Sequence, residues 1–244
     1  MTVVALHGFT GNGETMRDLA SRIDPHAIVP DLAGHGAGPH PDDPGRYSIE
    51  AMVDDVLGLG DDPIDLVGYS MGGRVAFSAA CRSPERVRTL SLIGASAGLA
   101  DPIDRATRAA ADDDLATLIE DDLDGFVDRW MANPLFATQA RLGQKFVAAS
   151  RAQRLANDPR ALATSLRRAS TGRMAPLHEL LGRCSMPVGL IVGADDPKFL
   201  GIADDLVGRL PDARTHVIAE AGHAAHLEQP AAVAAAVIET IGRA

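Results

Sequence analysis

The feature that most constrains this chain is a serine between closely spaced glycines, in the run GYSMG at residues 68–72. An apolar, strand-like run, Ile64–Tyr69, leads into Ser70, and a helix-like run follows it directly. A turn sharp enough to push a serine out of a sheet leaves no room for side chains two residues to either side. The pattern predicts a nucleophile elbow with Ser70 at a helix amino terminus, where developing negative charge is favoured.

A histidine base and an orienting carboxylate are predicted in the loops after the last two strand-like runs. His223 closely follows the run Thr215–Ile218. Two aspartates, Asp195 and Asp196, follow the run Val188–Val192, and their position alone barely separates them. The chain order of the candidate triad is serine, aspartate, histidine.

The loop after the first strand-like run is a candidate oxyanion hole. The motif LHGFTG occupies residues 6–11. We expect the backbone N–H groups of Phe9 and Met71 to stabilise negative charge on a substrate carbonyl oxygen. The alternative, a plain turn and an incidental serine, is disfavoured because the motifs occur together. The turn PDLAGHG at residues 30–36 is interpreted as structural, His226 as a solvated or capping residue, and the other histidines as structural or solvated.

Short apolar runs alternate with amphipathic segments along most of the chain. This alternation is typical of βαβ units, so we expect an α/β fold with a mostly parallel sheet flanked by helices. Strands are predicted at Thr2–Leu6, Ala27–Val29, Ile64–Tyr69, Thr89–Ile93, Val188–Val192 and Arg214–Ile218. Helices are predicted at Glu14–Ile23, Ile49–Leu59, Met71–Arg82, Ile202–Arg209 and Ala231–Ile241.

Residues 98–184 break this alternation, because they carry helical periodicity without a convincing strand pattern. We expect them to form a helical lid inserted between two strands of a core made of residues 1–97 and 185–244. The insertion has no Ser/Gly-rich linker, so a separate domain is not expected.

Charge and composition narrow the choice of partners. The formal net charge of −10 disfavours nucleic acid and anionic membrane surfaces. No apolar run is long enough for a membrane helix, no secretion signal is recognisable, and only two cysteines occur, which favours a cytoplasmic protein with free thiols. We expect a small-molecule ligand, and an anionic one would need a locally basic site.

The motifs LHGFTG, PDLAGHG, GYSMGG and AGHAAH, in this order, resemble the α/β-hydrolase superfamily over nearly the whole chain. The segments GYSMGGR, GADDPKF and GHAAHLEQP are similar to those of the 2-succinyl-6-hydroxy-2,4-cyclohexadiene-1-carboxylate synthases of menaquinone biosynthesis. The G-x-x-D spacing of that family selects Asp196 over Asp195. The resemblance implies a carbon–oxygen lyase that eliminates pyruvate, uses its triad as a base, and needs neither metal nor cofactor.

Arginines offer a check on this resemblance. Arg74 lies four residues after Ser70 on the same predicted helical face, so its charge is aimed at the site unless it forms a surface ion pair.

The resemblance also places Arg108 and Arg151 as carboxylate-binding residues in the lid, with Arg105 and Arg154 as neighbouring alternatives. It places Trp130 as an apolar wall, although packing within the lid is an equally good explanation for this residue. Three guanidinium groups would match the three carboxylates of the substrate class.

One structural expectation and two alternative functions remain open. The chain opens directly with the strand before LHGFTG, where the superfamily usually has an antiparallel hairpin, so a truncated amino-terminal sheet edge is expected. A carboxylic-ester or C–C bond hydrolase acting on a small anionic substrate could use the same triad. A ligand-binding receptor of the same fold is the third alternative.

Overall fold

The computed structural model describes residues 2–60 and 63–244, and its described residues form one five-stranded parallel sheet. The strands lie in chain order across the sheet, as the parallel pairing of each neighbouring pair shows. They are β1 (Val3–Leu6), β2 (Ile64–Tyr69), β3 (Val87–Ile93), β4 (Val188–Gly193) and β5 (Ala213–Ile218). The predicted α/β class and parallel sheet are confirmed.

Helices connect and flank these strands, and several begin at a polar side chain that caps them. Asp101, for example, accepts hydrogen bonds from the backbone N–H groups of Ile103 and Asp104. The helices are α1 (Glu14–Ile23), α2 (Ile49–Leu57), α3 (Met71–Arg82), α4 (Pro102–Asp121), α5 (Leu123–Met131), α6 (Gln144–Leu155), α7 (Pro159–Arg168), α8 (Pro197–Val207), α9 (Ala225–Glu228) and α10 (Pro230–Ile241). Short 3₁₀ segments occupy Pro44–Tyr47, Pro84–Arg86, Pro134–Leu142 and Leu181–Arg183.

The core has two layers because helices cover both faces of the sheet. Helices α2, α3 and α8 pack on one face and α1 and α10 on the other. The central strands β2 and β3 are buried on both sides, so that even their polar residues Asp65, Thr89 and Ser91 are buried, and the hydroxyl of Thr89 donates to Asp65 at 2.7 Å.

The predicted strand Ala27–Val29 is wrong as a strand, since only Ile28 bridges to β1. Ile28 donates to the carbonyl of Val3 and accepts from the N–H of Ala5. The next donor along such a ladder would be residue 30, which is a proline without an N–H. Pro30 therefore ends the pairing after one bridge.

Residues 98–184 hold helices α4–α7 and the 3₁₀ segments Pro134–Leu142 and Leu181–Arg183, and none of their described residues forms a strand. They bury an apolar cluster of their own, against which Phe9 from the sheet side also packs. The members of that cluster are Ala116, Ile119, Phe126, Val127, Leu162, Ala163 and Leu166. Among the described helices, none combines the length and apolarity needed to cross a bilayer.

Candidate active site

Ser70 stands on a strained turn between β2 and α3. Its backbone φ of 51° is rare for a residue with a side chain. A Cβ at Gly68 would lie 2.5 Å from the carbonyl oxygen of Gly72, and one at Gly72 would lie 2.5 Å from that of His7. Both glycines are therefore required for the turn, as the sequence indicated.

The structure brings Ser70, His223 and Asp196 together at the carboxyl ends of three strands. His223 Nε2 lies 3.2 Å from Ser70 Oγ, and His223 Nδ1 lies 3.0 Å from Asp196 Oδ2. The carboxylate accepts the Nδ1 proton, which leaves the Nε2 lone pair directed at the serine hydroxyl. His223 and Asp196 are 3% and 4% exposed, so this hydrogen-bonded chain is shielded from water.

The neighbouring aspartates differ in direction. Asp196 faces inward, and its second oxygen accepts the N–H of Phe199 at the start of α8. Asp195 faces outward and pairs with Arg141 at 2.5 Å. Of the two carboxylates that the sequence barely separates, only Asp196 reaches His223.

Two candidate oxyanion donors lie beside the serine, the backbone N–H of Phe9 in the loop after β1 and that of Met71 at the start of α3. Within the described chain, the N–H groups of Phe9 and Met71 donate no hydrogen bond to the protein, and both residues line the cavity that contains Ser70. His7 holds this loop: its Nδ1 donates to the carbonyl of Gly8 at 2.8 Å, and its Nε2 accepts the N–H of Leu32 at 3.0 Å.

Burial lowers the pKa of His7 to about 4, so this ring stays neutral and keeps its tautomer. This supporting role of His7 was not predicted from the sequence, although His7 lies inside the motif LHGFTG.

A cavity of about 680 Å³ opens above Ser70, between the sheet and the helical insertion. Much of its wall is aromatic, from Phe9, Tyr69, Trp130, Phe136, Phe146 and Phe199. The part of the chain that the structure describes contains no group of three or more histidine, cysteine or acidic side chains placed to hold a metal ion.

Two arginines line this cavity without a carboxylate partner among the described residues, namely Arg74 and Arg154. Arg74 donates only to the carbonyl of Ala169, at 2.6 Å, and to the sulfur of Met174. Burial, and secondarily the charge of Arg108, lower its pKa to about 10, so it remains a cation at neutral pH.

Arg154 is 9% exposed, and among the described residues its guanidinium group hydrogen-bonds only to the carbonyl and hydroxyl of Ser150. Its pKa is also lowered by burial. Arg74 and Arg154 therefore bring two partly desolvated positive charges to the cavity of a protein whose net charge is −10.

Arg108 also lines the cavity but is held by Asp112. Its Nε lies 2.9 Å from both carboxylate oxygens of Asp112, which is buried and also accepts the hydroxyl of Ser170. Its two terminal amino groups donate no hydrogen bond within the described chain. The neighbouring Arg105 donates to the carbonyl of Met174 and does not line the cavity. Of the two alternatives, Arg108 is therefore the arginine that faces the cavity.

The prediction for Arg151 needs correction. Arg151 does not line the cavity and pairs with Asp124 and Asp128 of α5, at 2.7 Å each. Arg154 lies three residues further along α6, which turns its side chain by about 60° toward the cavity. Arg154, the alternative considered for this position, therefore takes the place expected for Arg151.

Trp130 packs within the insertion and also lies on the wall of the cavity. Its ring lies 5.4 Å from Phe9, 5.6 Å from Phe126 and 5.7 Å from Phe136, so it is part of the packing of the insertion. It also lines the cavity, and its indole N–H has no hydrogen-bond partner among the described residues.

The interpretation of His226 as a solvated or capping residue is wrong. Its side chain is buried, lines the cavity and packs on Tyr69 with ring centroids 4.2 Å apart. Burial lowers the pKa of His226 to about 3, and burial raises that of Tyr69. Both groups are therefore neutral over the physiological pH range.

The site combines a strained serine on a strand–helix turn with a histidine and an aspartate at the carboxyl edge of a parallel sheet. This combination defines the serine-triad class of the α/β-hydrolase fold. The profile of the family described as "alpha/beta hydrolase fold" matches residues 2–230, and the chain belongs to this family.

Within this family, the chain is similar to 2-succinyl-6-hydroxy-2,4-cyclohexadiene-1-carboxylate synthases. It is 32% identical over 242 residues to the synthase of Enterobacter sp. (strain 638), covering 98% of this chain and 91% of the relative. It is 38% identical over 234 residues to a Bacillus subtilis (strain 168) protein that bears this name provisionally, covering 93% and 85%. The solved structure of MenH from S. aureus superposes with a TM-score of 0.93 at 26% identity, covering 100% of this chain and 94% of that one.

Proposed function

We propose that this protein is a carbon–oxygen lyase that eliminates pyruvate from a succinylated, enolpyruvylated cyclohexene carboxylate in menaquinone biosynthesis. The observation that carries the proposal is the pair of arginines without a carboxylate partner, the partly buried Arg74 and the buried Arg154, on the same cavity as Ser70. A buried charge without a counter-ion is costly, and an anionic substrate would supply the missing partner. Named relatives with this activity, similar over nearly their full length, support the same substrate class.

Recognition would use three guanidinium groups for the three carboxylates of this substrate. Arg74 and Arg154 have no carboxylate partner among the described residues, and the two terminal amino groups of Arg108 are free while Asp112 holds its Nε. Planar guanidinium groups bind carboxylates through paired hydrogen bonds, which would fix the orientation of the ring above Ser70. Trp130 would form an apolar wall against the ring.

The triad would act as a base. His223 takes the hydroxyl proton of Ser70, and the resulting alkoxide removes a proton from the carbon next to the succinyl ketone. The N–H groups of Phe9 and Met71 stabilise the enolate oxygen that forms. Electrons then move through the ring and break the C–O bond to the enolpyruvyl group, which takes up a proton and leaves as pyruvate. The reaction consumes no water and requires neither metal nor cofactor.

Residues 98–184 would serve as the lid that closes over this reaction and limits the access of water. We also propose a cytoplasmic location, supported by the two cysteines, Cys81 and Cys184, which are unpaired thiols in the buried core. The proposed partner is a small anionic substrate, and the net charge of −10 argues against nucleic acid.

The test is an assay of the purified protein with this substrate, beside a panel of p-nitrophenyl esters. We expect one pyruvate for each substrate consumed, measured by coupled oxidation of NADH, and ester hydrolysis slower by orders of magnitude. Efficient ester hydrolysis without pyruvate release would overturn the proposal and favour a carboxylic-ester or C–C bond hydrolase.

A further inference from the structure

The 3₁₀ segment Pro134–Leu142 of the helical insertion touches the chain beside two members of the triad. Arg141 pairs with Asp195, the residue before Asp196, at 2.5 Å. Thr138 donates its hydroxyl proton to Glu228 Oε1 at 3.0 Å. The insertion is therefore attached beside both the aspartate and the histidine.

Glu228 joins this segment to the loop that carries His223. While Oε1 accepts the hydroxyl of Thr138, Oε2 accepts the backbone N–H of Gly222 at 3.0 Å. Gly222 immediately precedes His223, so this bond restrains the backbone from which the imidazole projects.

The contact between segment and loop is close. A Cβ on Gly222 would lie 2.3 Å from the hydroxyl oxygen of Thr138, so only a glycine lets the segment sit this near. The ring of Phe136, two residues before Thr138, lies 5.9 Å from the ring of His223. Neither Glu228 nor Thr138 lines the cavity, so neither is placed to contact a ligand in it.

We propose that Glu228 is a positioning residue, whose carboxylate couples the seating of the segment Pro134–Leu142 to the orientation of His223. With the segment in place, the Thr138–Glu228–Gly222 bridge holds the loop so that the imidazole meets both Ser70 and Asp196. When the bridge is lost, the imidazole samples other orientations and proton transfer from Ser70 slows. The inference rests on the proposed function only where turnover is the readout.

Two substitutions at Thr138 isolate the hydroxyl from the shape of the side chain. Thr138→Val removes the hydrogen bond at nearly constant volume, and Thr138→Ser retains it. We expect Thr138→Val to lower kcat about tenfold with KM changed less than about twofold, as for the loss of one hydrogen bond to a charged group. Thr138→Ser should restore kcat to within about twofold of the wild type.

Two substitutions at Glu228 separate the bridge from its charge. In Glu228→Gln, the carboxamide oxygen can accept from Gly222 and the NH₂ group can donate to the oxygen of Thr138, so most of kcat should remain. Glu228→Met has similar length and loses both bonds, so it should be at least as impaired as Thr138→Val. An equal loss of kcat in Glu228→Gln and Glu228→Met would contradict the proposed role of the bridge.

A readout that needs no substrate keeps this inference separate from the proposed function. An alkyl fluorophosphonate reacts with Ser70 as His223 takes the hydroxyl proton, forming a P–O bond while fluoride leaves. The labelling rate should fall in parallel with kcat in Thr138→Val and Glu228→Met and return in Thr138→Ser. This pattern would support the bridge even if the wild type released no pyruvate.

Equal labelling rates in all these variants would overturn the bridge, whatever the wild type does with pyruvate. Thermal unfolding identifies variants that fail to fold, and the Thr138 pair then decides the outcome if Glu228→Met is one of them. Arg141→Gln is a matched control for loss of an exposed contact of the same segment, because its pair with Asp195 is about half exposed. We expect it to change the labelling rate less than about twofold.

Discussion

Arg151 and Arg154 lie three residues apart on helix α6 and carry the same charge, yet they occupy opposite environments. Arg151 faces the outer surface, where Asp124 and Asp128 neutralise it. Arg154 faces the cavity, where no described carboxylate reaches it. The arginine that water can already solvate, Arg151, therefore has carboxylate partners, and the poorly solvated Arg154 has none among the described residues.

The two aspartates before α8 differ in the same way. Asp195 faces outward to Arg141, and Asp196 faces inward to His223. In both pairs the outward residue makes an exposed ion pair, and the inward residue faces the proposed active site. The direction of a side chain, more than its type, separates surface residues from site residues in this protein.

The aspartate pair gives the largest expected difference. Asp196→Asn should lower kcat about 10³- to 10⁴-fold, because an amide at this position favours the wrong tautomer of His223. Asp195→Asn should change kcat less than about threefold, since it loses only an exposed ion pair. Steady-state kinetics on variants with native circular dichroism would test this, and a greater loss in Asp195→Asn would reverse the assignment.

The arginine pair gives the next difference. Arg154→Ala should lower kcat/KM by a factor that corresponds to about 1.5–3 kcal/mol of lost transition-state stabilisation, the usual value of a hydrogen bond to a charged group. Arg74→Ala should have a similar effect. Arg151→Ala should leave kcat/KM within about twofold. Similar losses in Arg151→Ala and Arg154→Ala would break the distinction between the two faces of α6.

Buried histidines extend the comparison to acid stability. Burial lowers the folded-state pKa of His7 to about 4 and those of His35 and His226 to about 3, below the ordinary 6.5. Their neutral forms contribute stability that is fully present above pH 6.5 and is lost as the pH falls toward 4. Each of these histidines can lower the free energy of unfolding by about 1.4 kcal/mol per pH unit in this window.

Urea unfolding at pH 7, 6 and 5 measures this slope directly. His35→Asn should lower the free energy of unfolding at pH 7 but reduce its dependence on pH by about 1 kcal/mol per unit. An unchanged slope in this variant would show that His35 titrates in the folded protein as it does in the unfolded chain.

The outer ion pairs give the smallest expected effects. Arg167 pairs with Glu120, and Arg173 pairs with Asp113, on partly exposed surface of the helical insertion. Arg167→Ala and Arg173→Ala should each lower the free energy of unfolding by less than about 1 kcal/mol, and less still in high salt. Losses above 2 kcal/mol in either variant would show that these pairs are integral to the insertion.

The elbow could be predicted from the sequence because it depends on local sterics. The predicted bounds of α1 and α3 agree with the structure, and the two glycines around Ser70 have a reason that a single turn contains. The strand at Ala27–Val29 failed for a local reason as well, since the missing N–H of Pro30 could have been noticed in advance.

The directions in which the side chains of the helical insertion point could not be predicted from local sequence. Both Arg151 and Arg154 suit a polar helix surface, and only the position of α5 decides which one meets acidic partners. The bridge from Thr138 to Glu228 joins residues 90 positions apart and leaves no pattern in the sequence. The burial of His226 likewise depends on its packing against Tyr69.

The most direct test of the central claim is rapid-quench mass spectrometry of the intact protein during turnover of the enolpyruvyl substrate. If Ser70 acts as a base, the protein mass stays unchanged at every quench time while pyruvate accumulates. A substrate-derived acyl group on Ser70 that forms and decays at the rate of kcat would contradict the elimination and indicate nucleophilic hydrolysis instead.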